Sequence, residues 1–233
     1  MFSAFDFILD FVKPFFPNVA QYWARVVKAI VETLEMVSVS FGFVAVLGVA
    51  LGIVLVVISE GHLYENKILN TVVPRLVNLF RSIPFVILVA FILPFTRFMV
   101  GTAVGVPGAI VPIVVAMVPF VARQVELALL EVNRGVIDMA LSLGFSKPYI
   151  VFRILLKEAR SGIVRALTLS SISLVGYSAM AGVVGGGGIG DLAIRYGYAR
   201  FMSDITLLSL LLLLGIVFFL QGIGNFVLER LGT

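Results

Sequence analysis

Cysteine is absent from this 233-residue chain, and histidine occurs once, at position 62. The lack of thiols excludes disulfides, iron–sulfur clusters, thiolate zinc sites and a cysteine nucleophile. A single histidine excludes multi-histidine metal centres and argues against a Ser-His-Asp hydrolase. Charge is also scarce, because 13% of the residues are charged whereas soluble domains carry about 25%. No cofactor is therefore expected, and an ordinary water-soluble domain is excluded.

Hydrophobic residues, by contrast, make up 61% of the chain. A helix needs about 20 apolar residues to cross a bilayer, so the long uncharged runs mark the spans. They predict an all-α polytopic membrane protein with five transmembrane helices in a domain that covers residues 29–233. The predicted spans are residues 36–59, 83–100, 109–130, 163–184 and 205–228.

Residues 1–28 are predicted to form an interfacial extension. Over residues 5–12 the apolar residues Phe5, Ile8, Leu9 and Val12 recur at helical spacing, which is typical of an amphipathic helix on a membrane surface. Asp6 and Asp10 interrupt the apolar residues, so the segment is not interpreted as a signal peptide. A helix that merely wraps the bundle is an equal alternative.

Basic residues are distributed unevenly between the two predicted faces of the membrane. If the connection between spans three and four is cytoplasmic, eleven of the 17 basic residues lie inside and six outside. The positive-inside rule then predicts an extracytoplasmic N-terminus and a cytoplasmic C-terminus. The small net charge of +4 suits contact with anionic lipid better than nucleic-acid binding.

The fourth predicted span is the most polar of the five. Four of its residues are candidates for lining a pathway for a small polar solute: Ser173, Tyr177, Ser178 and Met180. The alternative is that its hydroxyl groups donate hydrogen bonds to carbonyls of their own helix. The residue pattern leaves both interpretations open.

Two glycine patterns resemble familiar motifs. Gly48 and Gly52 form a GxxxG on the first span, which predicts close helix packing or a dimer seam. Gly185–Gly190 matches G-x-G-x-x-G, but a dinucleotide site needs a soluble βαβ unit that is missing here. We interpret this glycine run as a sharp bend of the backbone.

The connection between spans three and four, residues 133–161, is predicted to be structured. A helical pattern ends at Gly144, which suits the left-handed position that closes a helix. Lys147-Pro148 then begins a second helix, since proline suits a first helical turn. Two short helices at an angle can be a docking surface, or a solvated loop that contacts lipid headgroups.

The same residues resemble the EAA signature of type I ABC importer permeases. The matching pattern is Asp138-x-Ala140-x3-Gly144-x9-Ile154-x-Leu156. In that family the segment seats in a groove of a cytoplasmic ATPase, so the resemblance implies docking by Asp138, Ala140, Leu141, Gly144, Ile154 and Leu156. The chain departs from the signature at Asp138, Met139 and Lys157, where the family commonly has glutamate, alanine and proline.

Further blocks are similar to the methionine importer permeases within this family. They include Asn78–Phe85, Ile92–Arg97, Val100–Thr102 and Leu174–Met180. The resemblance implies a permease subunit of an ATP-driven amino-acid importer in a bacterial inner membrane, with methionine as the substrate. It also implies a homodimer, two copies of an ATPase and an extracytoplasmic binding protein.

The chain itself is not expected to be an enzyme. It contains no Gly-Lys dipeptide and hence no P-loop, so ATP hydrolysis has to come from a partner. The alternative function is an ion-coupled secondary transporter or channel for a small polar solute. That class typically has intramembrane carboxylates or inverted repeats, and the sequence indicates neither.

Overall fold

A computed structural model describes residues 16–231, and all the regular structure within them is helical. The expected all-α fold is therefore confirmed. The α-helices are α1 (Pro17–Gln21), α2 (Trp23–Val57), α3 (Lys67–Ser82), α4 (Phe85–Val100), α5 (Gly105–Leu130), α6 (Arg134–Ser142), α7 (Lys147–Tyr149), α8 (Leu156–Glu158), α9 (Arg160–Ala181), α10 (Gly188–Leu192) and α11 (Ser203–Arg230). Three π-helical segments join some of them: Ile150–Leu155, Gly182–Gly186 and Ala193–Tyr198.

Within residues 16–231, four helical stretches are long and apolar enough to cross a membrane: α2, α5, α9 with its extension to Gly186, and α11. The fifth span exists only as the pair α3 and α4, which is bent by 107°. The bend has a local cause, because Pro84 disfavours helical angles at Ile83, which adopts φ −78° and ψ 124°. With this bent pair counted as one span, the prediction of five spans is confirmed.

The boundaries differ most at the N-terminus. The helix that contains the first predicted span begins at Trp23, so residues 23–28 are continuous with that span. The amphipathic helix predicted over residues 5–12 lies outside the described residues. Pro17 occupies the first turn of α1, where its missing N–H costs no hydrogen bond.

The chain divides into two compact units. Among the described residues, the first contains residues 16–40, 85–113 and 173–219, and the second contains residues 41–84, 114–172 and 220–231. In the second unit the GxxxG of α2 packs against α5: a Cβ at Gly48 would lie 2.6 Å from Val121 Cγ1, and one at Gly52 2.8 Å from Val125 Cβ. The ordinary-packing interpretation of this motif is thus confirmed within one chain.

The glycine-rich turn of the first unit is held by side chains of α2. The Gly188 N–H donates to Glu32 Oε2 at 2.7 Å, and the Ile189 N–H donates to Thr33 Oγ1 at 2.8 Å. Gly187 has φ +82°, and a Cβ there would lie 2.7 Å from Glu32 Oε2. The run Gly185–Gly190 is therefore a sharp backbone bend, as predicted.

Candidate functional site

The connection 133–161, here called the coupling segment, begins with a well-capped helix. The Asn133 side chain accepts a hydrogen bond from the Gly135 N–H at 2.8 Å, which caps α6 at its start. At the other end Gly144 has φ +78°. The Phe145 N–H donates to the Ala140 carbonyl at 3.2 Å, and the Gly144 N–H donates to the Leu141 carbonyl at 3.0 Å. These two bonds form a Schellman motif, so the predicted glycine closure is confirmed.

A second helical stretch follows after four residues. Pro148 lies in the first turn of α7, as predicted, and the helix continues through the π-helical turn to Glu158. Ile150, Val151 and Leu155 are buried, whereas Arg153 is exposed. The apolar side chains thus attach this stretch to the protein and the basic ones face outward.

The surface between the two helices is formed by nine consecutive exposed residues, 141–149, which we call the elbow. Leu143 is 68% exposed. The rings of Phe145 and Tyr149 stack with centroids 5.0 Å apart and an interplanar angle of 13°. Apolar side chains that are preordered but uncovered, and lie outside every span, can bind a groove on another protein.

The structure separates the six predicted docking residues into three groups. Asp138, Leu141 and Gly144 are exposed, Ile154 and Leu156 are half-buried, and Ala140 is buried with 2% of its surface exposed. Ala140 therefore contributes its carbonyl and its packing rather than a free side chain. The six predicted residues do not include Leu143, Phe145 and Tyr149. The signal that could have indicated them is an apolar or aromatic residue close to Gly144, the glycine that ends α6, because few side chains are available there to cover it.

A second element contacts the coupling segment: the connection 58–66 between α2 and α3, here called the strap. Arg134 Nη2 donates to the Gly61 carbonyl at 2.7 Å, and Lys147 Nζ lies 5.1 Å from the centroid of the Tyr64 ring. A cavity of about 170 Å³, the strap cavity, lies between the two elements. It is lined by Gly61, His62, Leu63, Arg134, Ile137, Asp138, Leu141 and Lys147.

The environment of His62, in the strap, shifts the pKa of its imidazole. Partial burial, and secondly the positive charge of Arg134, lower the pKa of His62 below its ordinary value. The neutral imidazole is thus favoured, and its protonation would add a second positive charge beside the guanidinium.

The four candidate pathway residues of α9 have different environments. Ser173 and Tyr177 are half-buried, and the Tyr177 ring packs edge-on against Phe85 with centroids 4.9 Å apart. Met180 is 50% exposed. Ser178 is buried and donates to the Val175 carbonyl at 2.8 Å.

Other hydroxyl groups of α9 also donate to carbonyls of their own helix: those of Thr168, Ser170 and Ser171. For these groups and for Ser178, the structure shows the hydrogen bonds expected of the alternative interpretation. Within residues 16–231 no group of three or more His, Asp or Glu side chains could hold a metal ion.

Comparison with known proteins identifies a family. Residues 46–231 match the family described as binding-protein-dependent transport system inner membrane component. The chain is 40% identical to a probable D-methionine transport system permease protein, MetI, of Vibrio cholerae, over 92% of this chain and 97% of the relative. It is 41% identical to the methionine import system permease protein MetP of Bacillus subtilis, over 92% and 96% of the two chains.

Solved structures agree with the sequence relatives. A permease-length chain of the MetNI methionine ABC transporter in an inward-facing conformation superposes with a TM-score of 0.88 at 41% identity, covering 91% of this chain and 98% of that one. The type I ABC importer fold implied by the coupling segment is therefore confirmed. An amino acid ABC transporter at 14% identity shares the fold with a TM-score of 0.76. The chain belongs to the family of inner membrane components of binding-protein-dependent transport systems.

Proposed function

We propose that this chain is the permease subunit of an ATP-driven methionine importer. The relatives that match almost all of its length are named as methionine or D-methionine permeases. The chain has no P-loop of its own, so the energy of ATP hydrolysis enters through a separate ATPase.

The observation that carries the ATPase assignment is the exposed elbow. Leu141, Leu143, Phe145 and Tyr149 are each more than 40% exposed although they are apolar or aromatic. The Schellman motif and the stacked rings hold this surface in one shape before any partner binds, which lowers the entropic cost of docking. Because the chain belongs to a family of transport permeases, we expect this surface to bind a groove on an ATPase subunit.

The assembly that follows is a two-fold dimer of this chain, with two ATPase copies and an extracytoplasmic binding protein. One chain with five spans encloses little space, so a symmetric pair supplies the second wall of a pathway. ATP binding would favour the state in which the two ATPases are close together. The two elbows then move with them, and the equilibrium between outward-open and inward-open states shifts.

The membrane orientation belongs to the same proposal. The coupling segment lies on the cytoplasmic side, so with five spans the N-terminus is extracytoplasmic and the C-terminus cytoplasmic. Ser173, Tyr177 and Met180 line the methionine pathway, since they are not fully buried in one chain. The Ser178 hydroxyl is instead committed to its own helix.

Co-purification followed by an uptake assay tests the proposal. The chain is co-expressed and purified with candidate ATPase and binding-protein subunits from the same genome, and labelled methionine uptake into proteoliposomes is measured with and without ATP. We expect uptake that requires ATP and all components. Phe145→Ser should release the ATPase, whereas Ser146→Ala, in the same exposed stretch, should retain it. Uptake by the chain alone under an ion gradient would contradict the proposal.

Single cysteines report the orientation and the pathway, because the chain has no cysteine of its own. A Ser146→Cys variant should react with a membrane-impermeant maleimide from the cytoplasmic side only. A Met180→Cys variant should be protected from modification by methionine, and a Ser178→Cys variant should react slowly regardless of methionine. Reaction of Ser146→Cys from the outside would refute the orientation.

A further inference from the structure

The strap touches the coupling segment at the starts of its two helices. Arg134 is the first residue of α6, and its guanidinium donates to the Gly61 carbonyl. Lys147 is the first residue of α7, and its ammonium group lies over the Tyr64 ring. The turn at residues 143–146 lies between these two contacts, so the strap contacts the coupling segment on both sides of that turn.

Hydrogen bonds within the strap and to the end of α2 restrict its conformation. The Tyr64 N–H donates to the Val57 carbonyl at 2.8 Å, and the Asn66 N–H donates to the Ile58 carbonyl at 3.0 Å. Within the turn, the Gly61 N–H donates to Glu65 Oε2 at 2.9 Å. These hydrogen bonds connect different parts of the strap, so we expect it to move as a unit when one end is displaced.

Both ends of the strap continue directly into membrane helices. Its first residue follows the end of α2 at Val57, and its last residue, Asn66, caps α3 by accepting the Leu69 N–H at 3.0 Å. The fit against the coupling segment is close, because a Cβ at Gly61 would overlap the Arg134 guanidinium. A movement of α6 therefore reaches the start of the bent second span without passing through the rest of the coupling segment.

We propose that the strap is a brace that couples elbow movement to α2 and α3, and that Arg134 and Tyr64 are its positioning residues. The proposal rests on the function proposed above. In it the elbow receives the displacement from the ATPase, and the strap carries part of that displacement to the first two spans. Loss of either contact leaves the docking surface in place but weakens the link between ATP hydrolysis and transport.

The test measures methionine transported per ATP hydrolysed in proteoliposomes that contain the chain, its co-purifying ATPase and binding protein. We expect Arg134→Ala and Tyr64→Leu to lower this ratio by about fivefold or more, while ATPase binding and hydrolysis stay within about twofold. Tyr64→Phe keeps the ring and should retain the ratio. Arg75→Ala, which removes an exposed arginine of α3, is the matched control.

Three outcomes would overturn the proposal in different ways. An unchanged ratio in both Arg134→Ala and Tyr64→Leu refutes the brace alone, because the unaltered assembly still transports methionine. Loss of the bound ATPase in both variants also refutes it, since the contacts would then only shape the docking surface. If the unaltered chain binds no ATPase or transports no methionine, the proposed function and the brace fail together.

Discussion

Gly144→Val is the sharpest perturbation that the structure offers, because its cost comes from the backbone alone. Gly144 has φ +78°, and apart from Gly144 and its two chain neighbours no residue has an atom within 4 Å of the position that a Cβ would occupy. An L-residue in this conformation costs about 1–2 kcal/mol, and a β-branched residue is especially unfavourable there. A cost of about 1–2 kcal/mol lowers the population of the observed elbow roughly 5–30-fold relative to alternatives.

The relaxed elbow would lose the hydrogen bonds of Phe145 to Ala140 and of Gly144 to Leu141, and the two helices would change their angle. We expect Gly144→Val to insert normally but to bind the ATPase weakly and to lose ATP-dependent methionine uptake. Gly144→Asn should retain most uptake, since asparagine tolerates positive φ. Normal uptake by the valine variant would refute the reasoning. Equal losses in both variants would assign the effect to contact with the partner instead of the backbone.

Two further perturbations test packing and protonation. Gly52→Val should lower the free energy of unfolding by about 1–3 kcal/mol through overpacking against α5, measured by thermal denaturation in detergent. Gly42→Val on the same helix has open space around its Cβ and should cost less. The pKa of His62 in the folded chain is lower than the ordinary histidine pKa of about 6.5. As the pH falls below about 6.5, the unfolded chain therefore binds a proton more readily than the folded chain does, and the free energy of unfolding decreases. His62→Gln should reduce this dependence, and an unchanged pH profile would show that burial and the charge of Arg134 do not disfavour the imidazolium of the folded chain.

Local backbone chemistry made part of the structure predictable from the sequence. Gly144 and Pro148 indicate a helix end and a helix start through their own conformational preferences, and both were placed correctly. The long uncharged runs likewise locate the spans, because the bilayer requires a minimum length of apolar helix. These features depend on neighbours along the chain, so a single sequence is sufficient to find them.

Features that depend on distant neighbours were not predictable. Arg134 and Gly61 are 73 residues apart, and no local pattern connects them. Ala140 belongs to the EAA signature but is buried, while Leu143 is exposed, because burial depends on which element packs against α6. The second span was predicted over residues 83–100, close to the bounds of α4, and the sequence analysis did not predict the 107° bend between α3 and α4.

The π-helical turn Ile150–Leu155 lies between the elbow and the long helix of the fourth span. Such a turn holds one more residue than an α-helical turn, so it is equivalent to the insertion of one residue into the helical stretch. If the inserted residue shifts by one position along the helix, the side chain at that position rotates by about 100° about the helix axis, with little loss of backbone hydrogen bonding. Removal of one residue within 150–155 would therefore rotate the elbow about the helix axis relative to the fourth span. The sequences of the elbow and of the span would not change.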